Sequence, residues 1–262
     1  MSSNPPPNYT IQTSDNVDVS VRHLPTRNPP LPPPADVLPP VEHKSVQEDL
    51  DPGRQQIIIG LGTGRCGTHS LAQLLNRQPN TNVTHEINNR PFLPWDRDLR
   101  KLKQFFNIID AKLKIFNTVG DVAFYHLPYV DKLIEQYPTK VKFIAIKRDS
   151  TAVIKSYLKW SHELNFWMKH DGTKWPYSEW DICYPKYDVE KKIEALQLYL
   201  DEYKHTVDRY RQEYPGRFFL MDVEHLNNKN NISDLLNFCG YNNKNIIVGI
   251  RRSPTRKPLL RK

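Results

Sequence analysis

From residue 55 onward, short runs of β-branched residues alternate with stretches in which apolar residues recur at helical spacing. The runs predict strands at residues 57–61, 82–85, 118–122, 141–146 and 218–223. The helical spacings predict helices over residues 71–78, 98–106, 128–137, 153–164, 193–214 and 232–239, the last capped by Asn231 and ended by Gly240. Such alternation indicates an α/β fold with a mainly parallel sheet, which binds ligands at the carboxyl ends of its strands.

Two predicted strand ends are the richest in polar and charged residues, namely residues 62–70 and 147–156. The first reads Gly62, Thr63, Gly64, Arg65, Cys66, Gly67, Thr68, His69 and Ser70. A strand, a glycine-rich turn and a helix N-terminus form an anion site, because free backbone N–H groups and the helix dipole converge there. We therefore expect this strand end to bind a phosphate or a similar anion.

Two familiar anion-binding loops fit this turn poorly. A nucleotide triphosphatase loop ends in Gly-Lys-Ser/Thr, but Gly67 is followed by Thr68 and His69, which disfavours hydrolysis of ATP or GTP. A phosphatase with Cys66 as nucleophile would need arginine where Ala72 stands.

A dinucleotide-binding turn is a closer alternative. Gly62, Gly64 and Gly67 satisfy G-x-G-x-x-G after a strand, and Glu86 lies near the spacing of a ribose-binding acid. Against this interpretation, Arg65 places a cation where the pyrophosphate of a dinucleotide meets bare backbone. A Rossmann NAD(P)-dependent oxidoreductase is kept as the less favoured function.

The remaining interpretation places Arg65 at the centre of the turn, with hydrogen-bond donors from Thr68, His69 and Ser70 around one doubly charged group. Residues 65–69 resemble the 5′-phosphosulfate loop of sulfotransferases, apart from Cys66 and His69. The resemblance assigns donor binding to Gly64, Arg65, Cys66, Gly67, Thr68, His69 and Ser70.

The second strand end strengthens this resemblance. Arg148 follows the strand, and Ser156 lies eight positions further along the next helix. Sulfotransferases bind the 3′-phosphate of their donor with an arginine and a serine at this separation, and arginine makes forked, charge-assisted bonds to phosphate. The resemblance covers about residues 55–240 and implies a P-loop-like three-layer fold with a central, mainly parallel sheet.

The implied reaction is sulfuryl transfer from 3′-phosphoadenosine 5′-phosphosulfate to a hydroxyl or amine, with adenosine 3′,5′-bisphosphate as product and no metal. Arg65 would stabilise the departing phosphate as a fixed charge, since arginine does not give up its proton. His69 is a candidate proton donor, although a structural role at the helix start is favoured. The resemblance does not identify the acceptor, which can be a sugar, lipid, peptide or small molecule.

The acceptor needs a general base, and two residues fit different branches of the family. Glu86 stands where the glycan-modifying branch carries a catalytic glutamate, whereas His126 lies in a Tyr-His-Leu-Pro sequence similar to that of the small-molecule branch. Glu86 is slightly favoured, and Asp121 is a weaker third candidate. Arg251 and Arg252 are expected to close over the 3′-phosphate, as a basic pair does in some family members.

Composition sets the remaining expectations. Residues 1–53 hold twelve of the 22 prolines and are expected to form an irregular arm, followed by one α/β domain at residues 54–262.

The net charge of +8 comes without a nucleic-acid-binding motif, so no nucleic acid partner is expected. Three scattered cysteines, no signal peptide and no apolar run of membrane-spanning length predict a cytoplasmic protein. A non-catalytic nucleotide-binding module is the main alternative function.

Overall fold

Five strands form one sheet in a computed structural model of the protein, which describes residues 52–241. The strands are β1 Gln56–Leu61, β2 Thr81–His85, β3 Thr118–Val122, β4 Val141–Lys147 and β5 Phe218–Asp222. Their order is β2-β3-β1-β4-β5, and each neighbouring pair is parallel. The predicted strands and the parallel α/β fold are therefore confirmed.

The helices of the described residues cover both faces of this sheet. They are α1 Thr68–Asn76, α2 Glu86–Asn89, α3 Leu99–Leu113, α4 Val130–Gln136, α5 Ser150–Trp160, α6 Lys192–Glu213 and α7 Lys229–Phe238. Short 3₁₀ helices occupy Pro52–Arg54, Phe124–Tyr129, Glu179–Cys183 and Val223–Asn227. Buried residues of α1 and α7 pack on one face, and those of α3 to α6 pack on the other. The result is the expected P-loop-like, three-layer arrangement.

The central strand explains why this sheet is covered on both sides. Ile57, Ile58 and Ile59 are consecutive in β1, and each is fully buried. Successive side chains of a strand point to opposite faces, so a continuous apolar run requires an apolar partner layer on each face. Ile57 and Ile59 accordingly join the core under α3 to α6, while Ile58 joins the core under α1 and α7.

The strand order contradicts the Rossmann alternative. In the dinucleotide-binding order 3-2-1-4-5-6, the second strand lies beside the first, and the acid that binds the ribose follows that second strand. Here β3 separates β1 from β2, so Glu86 at the end of β2 does not lie on the strand next to the glycine-rich turn. The G-x-G-x-x-G match therefore reflects a different phosphate-binding turn.

Several predicted helix boundaries were wrong. Helix α5 spans Ser150–Trp160 instead of residues 153–164. Asn228, rather than Asn231, caps α7, because its side chain accepts hydrogen bonds from the backbone N–H groups of Asn230 and Asn231. The helix starts three residues earlier than its apolar spacing indicates. Helix α3 extends beyond its predicted end at residue 106 to Leu113, because Ile109 and Leu113 continue its buried face.

Several expectations concern residues that lie outside the described part of the chain. These are nearly all of the predicted arm at residues 1–53 and the basic pair Arg251 and Arg252. Within residues 52–241, no helix is both long and apolar enough to cross a membrane. The cytoplasmic location stays a prediction.

Candidate active site

The glycine-rich turn at the end of β1 has a strongly constrained backbone. Gly64, Arg65 and Gly67 have φ values of 73°, 55° and 97°, in the left-handed region that favours glycine. A Cβ atom at Gly64 would lie 2.1 Å from the hydroxyl oxygen of Tyr157, and one at Gly67 would lie 2.5 Å from a methyl group of Val223. Both glycines are therefore required by close packing as well as by conformation, and α1 begins directly after the turn.

The tips of β1 and β4 are joined by the two arginines that the sequence singled out. Arg148 donates from Nη1 to the backbone oxygen of Arg65 at 2.7 Å, and Arg65 donates from Nε to Oγ of Ser156 at 3.1 Å. The Arg65 guanidinium lies 5.7 Å from the centre of the Trp160 ring, within the range of a cation–π contact. The structure thus brings Arg65, Arg148 and Ser156 into one cluster.

The other residues of the turn have distinct surroundings. Cys66 is fully buried, and this burial raises the pKa of its thiol, so the side chain is a core contact rather than a thiolate. Thr68 Oγ1 lies 3.1 Å from Nε2 of His85, and His69 Nε2 lies 3.0 Å from the side-chain nitrogen of Gln73. Ser70 is half-buried in the first turn of α1.

Glu86 begins an unusual turn at the end of β2. The four residues of α2 all have positive φ values, 47° at Glu86, 33° at Ile87, 65° at Asn88 and 66° at Asn89, so α2 is a single left-handed turn. Asparagine tolerates this conformation, but a β-branched isoleucine adopts it only at a cost in free energy. The backbone N–H of Ile87 donates to Oδ1 of Asp121 at 2.9 Å, and this bond holds the turn in place.

The Glu86 carboxyl is largely buried but remains partly accessible to solvent. Its side chain is 17% exposed, and Oε1 lies 3.8 Å from Nε2 of His85. Burial, followed by the negative charge of Asp121, raises the pKa of Glu86 to about 8, while the positive charge of Arg65 lowers it in part. A carboxyl with a pKa near neutrality is suited to accept a proton during catalysis.

His126 and Asp121 form a fully buried pair beneath this turn. His126 Nε2 lies 2.8 Å from Oδ2 of Asp121, and both side chains have no solvent exposure. Burial by itself would raise the pKa of Asp121, but hydrogen bonds from His126, Thr84 and Ile87 outweigh it and lower that pKa. Asp121 is therefore a buried carboxylate that anchors the Glu86 turn, and His126 holds Asp121 in position through a hydrogen bond.

A model of a known protein family matches most of this domain. The family is described as "Sulfotransferase domain", and the match covers residues 57–225, more than half of the chain. The chain belongs to the sulfotransferase family. The matched span contains the turn at residues 62–70, the cluster of Arg65, Arg148 and Ser156, and both Glu86 and His126, but not Arg251 or Arg252.

Some of the solved structures that match this sulfotransferase do so at low sequence identity and with TM-scores below 0.5. A sulfotransferase from Alicyclobacillus acidocaldarius is 14% identical, with a TM-score of 0.47 over 76% of this chain and 87% of its own. The mouse sulfotransferase SULT7A1 complexed with PAP is 14% identical, with a TM-score of 0.44 over 71% of this chain and 58% of its own. Shikimate kinase from Bacteroides thetaiotaomicron is 10% identical, with a TM-score of 0.33 over 70% of this chain and 94% of its own. No curated protein matches the sequence.

Sequence reasoning missed two features of this sulfotransferase. It gave Asp121 only a weak catalytic role, whereas the carboxylate anchors the Glu86 turn and accepts from His126. It gave no role to His85, whose ring lies between Thr68 at the end of the glycine-rich turn and the carboxyl of Glu86. The adjacent Thr84-His85-Glu86 at a predicted strand end was the available signal, because such ends form the binding edge of a parallel sheet.

Proposed function

We propose that this sulfotransferase moves the sulfuryl group of 3′-phosphoadenosine 5′-phosphosulfate to a hydroxyl or amine acceptor and releases adenosine 3′,5′-bisphosphate. One observation carries the proposal. Arg65 contacts Ser156 through its side chain and Arg148 through its backbone oxygen, so the two phosphate-binding motifs meet at neighbouring strand tips. A donor with phosphate groups at both ends of its ribose suits two adjacent cationic tips.

The residues that follow β1 and β4 can each bind one of the two charged ends of the nucleotide. The turn would receive the 5′-phosphosulfate through its backbone N–H groups, the N-terminus of α1 and the hydroxyls of Thr68 and Ser70. Arg148 and Ser156 would bind the 3′-phosphate. Both now contact Arg65, and phosphate oxygens would replace those contacts with charge-assisted hydrogen bonds. Arg251 and Arg252 stay candidates for closing over the same phosphate.

The proposed sulfuryl transfer needs no covalent intermediate on the protein. The acceptor oxygen or nitrogen forms a bond to sulfur, its proton passes to the base, and the bond between sulfur and the bridging oxygen breaks. The electron pair of that bond stays on the departing phosphate, where Arg65 and the loop N–H groups stabilise the new charge. The proposed step uses no metal.

Glu86 is the better candidate for the base. Its carboxyl is partly exposed beside Arg65 and has a pKa raised to about 8. His126 is fully buried, and its Nε2 is occupied by Asp121, so a bound acceptor would have no path to its ring. We therefore assign proton removal to Glu86 and support of the Glu86 turn to Asp121 and His126.

Calorimetric titration with adenosine 3′,5′-bisphosphate tests the proposed function. We expect the native protein to bind it, and Arg148→Ala to bind it about 10 to 100 times more weakly, because one charge-assisted phosphate contact is lost. Arg211→Ala is the matched control, since Arg211 pairs with Asp208 on the exposed side of α6. Failure of the native protein to bind would reject the proposal. Binding without transfer of labelled sulfuryl to any acceptor class would instead favour a non-catalytic nucleotide-binding module.

A further inference from the structure

Two buried tyrosines donate hydrogen bonds to one backbone carbonyl near the start of the glycine-rich turn. Tyr157 of α5 and Tyr199 of α6 both donate from their hydroxyls to the backbone oxygen of Thr63, the second at 3.1 Å. Each tyrosine is only 1% exposed. A carbonyl oxygen has two lone pairs, so the Thr63 carbonyl is fully satisfied by these two phenols.

The planarity of the peptide bond turns this contact into a constraint on the turn. In a trans peptide the carbonyl oxygen and the following N–H point to opposite sides, so holding the Thr63 oxygen against the two tyrosines also fixes the Gly64 N–H, which points to the Cys66 thiol within the turn. Tyr157 also lies directly beneath Gly64, where a Cβ atom would be 2.1 Å from its hydroxyl oxygen. The Gly64 peptide is therefore fixed on its inner side by both hydrogen bonding and packing.

A third tyrosine joins the two strand tips themselves. The hydroxyl of Tyr203 lies 3.2 Å from the backbone oxygen of Leu61 at the end of β1 and 2.9 Å from that of Ile146 in β4. The turn follows Leu61, and Arg148 follows the end of β4. Tyr203, which is 5% exposed, therefore contacts both elements that carry the two phosphate-binding motifs.

We propose that Tyr157 and Tyr199 are positioning residues for the sulfuryl donor. By drawing the Thr63 carbonyl towards the core, they keep a carbonyl dipole from facing the 5′-phosphosulfate and fix the start of the turn whose later N–H groups would bind that anion. A turn that is already oriented needs no rearrangement when charge develops on the departing phosphate. Tyr203 serves the same purpose by keeping the two strand tips together. This inference depends on the proposed function.

The effect should be confined to the 5′ end of the nucleotide, which allows a sharp test. The double variant Tyr157→Phe with Tyr199→Phe removes both hydroxyls and leaves the rings in the core. Tyr137→Phe is the matched control, because Tyr137 is also buried and donates to the backbone oxygen of Phe106 and to Asp110, near the opposite, amino end of β4. Dissociation constants of adenosine 3′,5′-bisphosphate and adenosine 3′-monophosphate are measured by titration and competition for each protein.

We expect the double variant to bind the bisphosphate about tenfold more weakly, as for two lost hydrogen bonds, with the 3′-monophosphate unchanged. Tyr137→Phe should leave both constants unchanged. If the double variant does not fold, Tyr199→Phe alone should show about a threefold change in the same ratio. Equal weakening of both ligands, or no change in either, would overturn the inference while leaving the proposed function intact. Absence of bisphosphate binding in the native protein would overturn both.

Discussion

The two halves of the candidate site are built on opposite electrostatic principles. The donor half, at the tips of β1 and β4, groups two arginines with Ser156 around a turn rich in backbone N–H groups. The base half, at the tips of β2 and β3, places the carboxyls of Glu86 and Asp121 close enough for one to raise the pKa of the other. Under the proposed function, one half would attract the anionic donor, and the other would keep a carboxyl ready to take a proton from the acceptor. Substitutions should therefore separate donor binding from turnover.

The largest separation is expected for Glu86→Gln. Loss of a general base slows turnover by about 10² to 10⁴-fold, whereas affinity for adenosine 3′,5′-bisphosphate should stay within about twofold. Turnover is measured with labelled donor and the acceptor found in a screen of acceptor classes. His126→Gln is the companion variant, and it should lower the melting temperature while costing less turnover than Glu86→Gln. A greater loss of turnover in His126→Gln would reassign the base.

The pH dependence of native turnover gives the next largest effect. Glu86 must be ionised to accept a proton, and its pKa is raised to about 8. Turnover at saturating donor should therefore rise with pH up to about 8 and fall about tenfold for each pH unit below it. A rate that is flat between pH 6 and 8 would contradict the role of Glu86.

Asp121→Asn should move this pH profile towards acid. The negative charge of Asp121 contributes to the raised pKa of Glu86, so its removal lowers that pKa. The asparagine oxygen can still accept from the N–H of Ile87, which preserves the turn. A pH–rate profile on the variant and the native protein checks this, and an unchanged or more alkaline midpoint would show that Asp121 does not act on Glu86.

The smallest effect expected is on stability. Because the folded pKa of Glu86 lies above its usual value of 4.5, the folded state binds more protons than the unfolded state between about pH 4.5 and 8, and stability falls as pH rises through that window. Glu86→Gln removes this loss, so the variant should melt a few degrees above the native protein at pH 8. The two proteins should melt alike near pH 4.5. A lower melting temperature of the variant at pH 8 would contradict the raised pKa.

The proximity of Arg65, Arg148 and Ser156 could be predicted from sequence, whereas the backbone turn at Glu86 could not. The turn, Arg148 and Ser156 lie in contiguous segments whose strand, glycine and helix signals are local. The left-handed turn at Glu86 is not a local preference, because isoleucine opposes it. It is held by the hydrogen bond that the N–H of Ile87 donates to Asp121, 34 positions away.

His126 also shows that the surroundings of a side chain cannot be predicted from its local sequence. Its sequence context matches a catalytic histidine, but whether an imidazole faces a ligand or the core depends on its neighbours in space. Here Phe105 and Asp121 enclose it. Tyr157 and Tyr203 stand at apolar positions whose helical spacing predicts α5 and α6. The backbone carbonyls that they and Tyr199 contact follow only from the packing of both helices against the sheet.

A crystal structure with adenosine 3′,5′-bisphosphate would test the central claim most directly. We expect the 5′-phosphate within hydrogen-bonding distance of the N–H groups of residues 65–68 and of the Arg65 side chain, and the 3′-phosphate on Arg148 and Ser156. A nucleotide bound elsewhere, or held by only one of the two strand tips, would contradict the claim that both tips bind a single donor.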